Sequence, residues 1–140
     1  MSETTRDAEA RLAGATVGGA MSAGVVTCSG DARLSQVATT MAEHGIHCVV
    51  VSDLRRDGPS WGVVSDLDLA GAAAGASPER VAREIAATPV VRVAPDDTLE
   101  HAAQLMAEYQ TSHLVVVDPT ADRPVGVVST LDVAEALAEA

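Results

Sequence analysis

The chain has 140 residues, 47% of them apolar, with no Phe, one Trp, one Tyr and a formal net charge of −11. That length suits one compact domain or two small halves, and the core must be assembled from Val, Leu, Ile and Ala. Every basic residue is Arg, and the acidic balance argues against nucleic acid or an anionic membrane surface as partner.

Residues 1–16 carry mixed charge and small side chains, so a flexible N-terminal tail with room for one helical turn is expected. Val17 to Ser22 reads as a short helical lead-in and Val25-Val26-Thr27 as a short strand. Asp31 is expected to cap a helix whose apolar face is Leu34, Val37, Ala38 and Met41, with Gly45 just past its end. Cys48-Val49-Val50-Val51 is an unbroken apolar run, as in a fully buried strand. Asp57-Gly58-Pro59 breaks the chain before the strand Trp61-Gly62-Val63-Val64, and Ser65 starts a helix through about Ala73. Gly75 and Ala76 form a junction. Ser77-Pro78 begins a new lead-in, continued by Val81, Glu84 and Ile85.

The pattern then returns with an offset of 65 positions. Val90-Val91 answers Val25-Val26, Asp96 answers Asp31, Leu99 answers Leu34, Met106 answers Met41, and Val115-Val116 answers Val50-Val51. Past the second turn the offset is 64, and Gly126-Val127-Val128-Ser129-Thr130-Leu131-Asp132 answers Gly62-Val63-Val64-Ser65-Asp66-Leu67-Asp68. A repeat that spans both halves indicates internal duplication. Each half is expected to be α/β (α+β): a three-stranded sheet with two helices, packed on its twin with pseudo-two-fold symmetry.

The seven-residue stretch supports two readings. Ser-x-x-Asp resembles a capping box that satisfies N–H groups at a helix start. A strand running into a helix N-terminus also makes an anion site, where a hydroxyl can meet phosphate and a carboxylate can accept from a ribose diol. Ser65 alone suffices to cap its helix, so Asp68 is expected to matter little for folding. Cys28 and Cys48 form no CxxC and read as small core residues. His44 and His47 flank Gly45, which ends a helix, so no metal pair is expected. No Ser/Cys–His–acid set stands out, and no catalytic residue is assigned. No apolar run approaches the roughly 18–20 residues of a membrane span. The N-terminus lacks a signal-peptide layout, and a cytoplasmic protein is expected.

These carriers together resemble a tandem pair of CBS domains, or Bateman module, over about residues 17–140. The repeats are placed at 17–75 and 76–140. The resemblance implies regulation rather than catalysis, no required cofactor, and adenosine-containing ligands: AMP, ADP, ATP or S-adenosylmethionine. It implies that the motif Asp takes the ribose hydroxyls and that the motif Ser lies near phosphate. One cleft would join Gly62, Ser65 and Asp68 to Thr88, His113 and Leu114. The other would join Gly126, Ser129 and Asp132 to Val25, His47 and Cys48. Where nucleotide-binding members often carry Arg at the start of the second strand, this chain has His47 and His113. Thr88 before the first strand has Gly24 as its counterpart, which favours the first cleft. The resemblance also implies a homodimer through the helices and action in trans on an unknown protein effector. The alternative is a ligand-independent homodimer serving as a scaffold.

Overall fold

The computed structural model describes residues 3–55, 60–75, 79–86 and 90–138. The first half holds α1 (Glu3–Gly14), α2 (Val17–Ala20), β1 (Ser22–Ala23), β2 (Thr27–Cys28), α3 (Leu34–His44), β3 (Cys48–Val51), β4 (Gly62–Ser65) and α4 (Asp66–Ala74). The second holds α5 (Ala82–Ile85), β5 (Arg92–Val93), α6 (Leu99–Tyr109), β6 (His113–Asp118), β7 (Arg123–Ser129) and α7 (Thr130–Ala138). The expected breaker at Asp57-Gly58-Pro59 and helix start at Ser77-Pro78 lie outside the described residues. No helix among the described residues is long and apolar enough to cross a membrane.

The chain divides into two compact units, residues 26–90 and residues 1–25 with 91–140. In the first, β3 lies between β2, parallel to it, and β4, antiparallel to it. Val49, Val51 and Val64 point to one sheet face and meet Val37 and Met41 of α3 in a core. By strand alternation, Cys48, Val50, Val63 and Ser65 occupy the other face. The second unit repeats this layout. Leu114, Val116 and Val128 meet Leu99, Ala102 and Met106 of α6, and His113, Val115, Val127 and Ser129 line the opposite face. Its sheet has four strands, because β1 adds antiparallel to β7, one more than expected. The segment matching β1 in the other unit, residues 87–88, lies outside the described residues.

The units exchange the lead-ins of the sequence repeats. Ala82 N–H donates to Ala32 O at 2.8 Å and Arg83 N–H to Gly30 O at 3.0 Å, so α5 docks beside the first repeat's sheet. Val17 N–H donates to Asp97 O at 2.8 Å and Gly18 N–H to Pro95 O at 2.7 Å, so α2 docks beside the second's. These bonds match at the offset of 65. A four-residue helix leaves most of its terminal N–H and C=O groups without intrahelical partners, so it forms where a loop supplies them.

Three local expectations are corrected. Residues expected to fray form α1, a 12-residue helix that lies against α6 and α7 and adds Leu12 to their core. Its single large apolar residue gave little periodic signal, and packing supplies what pattern did not. Asp31 does not cap α3; the helix starts after Arg33, whose N–H donates to Gln36 Oε1 at 2.9 Å. Asp31 pairs with Arg83 instead. Asp96 is likewise no cap, since Thr98 Oγ1 accepts from His101 N–H at 3.1 Å at the start of α6. Gly45, as expected, ends α3 in the left-handed region at φ 61°.

Candidate functional site

Both motif turns are strand ends that run directly into a helix. At the first, Ser65 N–H donates to Asp68 Oδ2 at 3.0 Å and Ser65 Oγ accepts from Asp68 N–H at 3.1 Å. At the second, Ser129 donates to Asp132 Oδ2 through its N–H at 2.7 Å and its hydroxyl at 3.1 Å. The return contact, Asp132 N–H to Ser129 Oγ, is longer at 3.4 Å. The capping-box reading is therefore realised in both halves. It corrects the expectation that Asp68 matters little for folding. Ser65 is 2% exposed, and a buried N–H that loses its acceptor costs about 1–3 kcal/mol. A carboxylate has about four lone-pair sites, so accepting from a backbone N–H is compatible with also accepting hydroxyls.

The motif glycines bring backbone close to neighbours. A Cβ on Gly126 would lie 2.6 Å from Ser22 O and 2.7 Å from Met21 Sδ, where β1 crosses β7. The nearest atoms to a Cβ on Gly62 belong to the end of the Leu54 side chain, the first 2.9 Å away.

Strand register decides which side chains flank each serine. Cys48 is opposite Ser65, and His113 is opposite Ser129. His113 thus corresponds to Cys48, and the expected equivalence of His47 and His113 is corrected by one position. The true counterpart of His47 is Ser112: Asp66 N–H donates to His47 O at 2.8 Å, and Thr130 N–H to Ser112 O at 2.9 Å. The repeat offset of 65 already sets His113 against Cys48 and Ser112 against His47, and the cross-strand ladder agrees. His47 Nδ1 sits 3.1 Å from Asp66 Oδ2, with both side chains largely exposed. Burial, with help from the Asp66 charge, pushes the Cys48 thiol up to about 11. Burial and then Asp53 raise Cys28 as well.

Leu114 is 1% exposed and its side chain belongs to the core, so only its backbone can serve a ligand. Val25 is half-buried between β1 and β2. Thr88 lies outside the described residues. Gly62, Ser65, Asp68, His47 and Cys48 belong to the unit of residues 26–90, and Val25, His113, Leu114, Gly126, Ser129 and Asp132 to the other. No group of three metal-ligating side chains occurs among the described residues. Asp66 and Thr130, the position after the serine, are the one chemical difference between two otherwise matching turns.

A family model described as the CBS domain matches residues 17–75 and again residues 82–139. The CBS domain-containing protein YhcV of Bacillus subtilis (strain 168) is 30% identical over 116 residues, 81% of this chain and 79% of that protein. The CBS domain pair of protein MJ0100, solved in complex with 5′-methylthioadenosine and S-adenosyl-L-methionine, matches with a TM-score of 0.73 at 25% identity. The match covers 86% of this chain and 93% of that one. The CBS domain protein PAE2072 from Pyrobaculum aerophilum, complexed with AMP, matches with a TM-score of 0.72 at 28% identity, covering 84% and 88%.

Proposed function

This chain belongs to the CBS domain family, and from that premise we propose that it is a regulatory module, not an enzyme. It binds adenosine-containing ligands (AMP, ADP, ATP or S-adenosylmethionine) and transmits their binding to a partner protein. The observation that carries this reading is the duplicated turn. Each copy ends a strand with a serine and sets an aspartate in the first turn of the following helix. Similar pairs solved with AMP and with S-adenosyl-L-methionine support the choice of ligand class. Asp68 and Asp132 accept the ribose hydroxyls, and Ser65 and Ser129 lie near the group on the ligand's 5′ carbon, a phosphate where the ligand carries one. Leu67 and Leu131, 79% and 64% exposed at the matching position of α4 and α7, support self-association through these helices. Light scattering should then give twice the chain mass of 14.2 kDa.

The test is thermal unfolding of the full chain with an adenosine-ligand panel. A ligand at about 100 times its Kd adds roughly 2.7 kcal/mol of stability. Asp68→Asn and Asp132→Asn, which keep an acceptor for the serine N–H, should melt near wild type. Their ligand-induced shift should fall, because charge-assisted bonds to hydroxyls are worth about 1.5–3 kcal/mol. An unchanged melting curve with every ligand would leave the turns as helix caps and favour the ligand-independent scaffold.

A further inference from the structure

The two turns share a backbone and differ in charge. At the first, the position after the serine is Asp66, so two carboxylates, Asp66 and Asp68, fall within the first helical turn. The side chain opposite Ser65 is Cys48, a buried thiol that adds no positive charge. His47 holds Asp66 through Nδ1 at 3.1 Å, and a hydrogen bond to an imidazole leaves the carboxylate's charge in place unless the ring is protonated. At the second, the position after the serine is Thr130 and one carboxylate, Asp132, remains in the first turn. The side chain opposite Ser129 is His113, half-buried on the same sheet face. The second turn therefore offers two hydroxyls and an imidazole where the first offers one hydroxyl, a thiol and an extra negative charge.

We infer that the turns sort adenosine ligands by charge: the Ser65 turn takes an uncharged or cationic adenosine derivative, and the Ser129 turn takes one that carries phosphate. Asp66 and Thr130 are the specificity-determining pair. The inference rests on the adenosine-ligand reading above. A helix start favours an anion through its N–H groups and dipole. A carboxylate at the first helical residue opposes both, whereas a threonine hydroxyl there adds a donor. One added charge at this range changes the affinity of an anion on the order of tenfold. An uncharged ligand feels neither effect.

The experiment is titration calorimetry on the full chain with AMP and with adenosine, for wild type, Asp66→Thr, Asp66→Asn and Thr130→Asp. Both positions are exposed on the helix surface, and Asp66→Asn removes the charge with the least change of shape. Wild type should bind adenosine at two sites per chain and AMP tightly at one. Thr130→Asp should weaken that AMP site about tenfold and leave adenosine little changed. Asp66→Thr and Asp66→Asn should each add a second AMP site. AMP filling both wild-type sites equally, or a ratio of AMP to adenosine affinity that no substitution moves, would overturn the sorting while leaving adenosine binding intact. Neither ligand binding to folded wild type would overturn the adenosine reading, and the sorting with it.

Discussion

The two lead-in helices dock through the same backbone bonds but fill the space beneath them in opposite ways. In the unit of residues 26–90 the large partner is on the helix. Arg83 reaches over Gly30, where a Cβ would fall 2.5 Å from the guanidinium. It donates to Asp53 O at 3.2 Å and Leu54 O at 3.3 Å, and pairs with Asp31. In the other unit the helix carries Gly18 and the loop carries Pro95, whose carbonyl lies 3.0 Å from where a Gly18 Cβ would be. The cores trade volume likewise. Ala102 with Val17 stands where Val37 with Ala82 does. Because packing tolerates redistribution when the total volume is kept, duplicated halves diverge in complementary pairs. Each pair joins one repeat's lead-in to the other repeat's loop.

The largest expected effect tests whether matching core positions carry matching weight. Leu99 is 0% exposed and Leu34 only half-buried. Leu99→Ala should cost about 2–5 kcal/mol by cavity formation, and Leu34→Ala about 1–2 kcal/mol for its partial burial. Urea unfolding measures both, and equal losses would break the comparison.

The motif glycines sharpen it. Gly126→Ala places a methyl against the backbone of Ser22 in β1, so overpacking of about 1–3 kcal/mol is expected. Gly62→Ala meets the flexible end of Leu54 and should cost clearly less. Midpoints of thermal unfolding for the two variants decide this. A larger loss at Gly62 would mean that the β1–β7 contact yields more readily than the Leu54 side chain.

A smaller effect concerns the position where the halves carry Cys48 and His113. Burial raises the Cys48 thiol from its ordinary 9.0 to about 11, so the folded state holds this proton more firmly than the unfolded chain. The contribution is fully present below pH 9 and is lost as pH rises to about 11. Stability followed across that window should fall less steeply for Cys48→Ala than for wild type. Equal slopes would show that Cys48 does not titrate there.

Much of this could be read from local pattern. The helix face of Val37 and Met41, the buried run at Cys48–Val51 and the Ser-x-x-Asp helix starts are set by residues within a few positions of one another. Steric and periodic preferences act at that range. Gly45 could be read as a helix end because glycine enters the left-handed region without penalty. Its counterpart Gln110 could not, because glutamine has no such freedom, yet it ends α6 at φ 50°. Three features were decided by tertiary structure alone. The lead-ins dock on the other repeat's loops, α1 folds against α6 and α7, and the ladder pairs Ser65 with Cys48 but Ser129 with His113. Each depends on carbonyls, apolar faces or strand partners supplied by a distant segment. A segment's own composition carries no record of which distant partner will satisfy it.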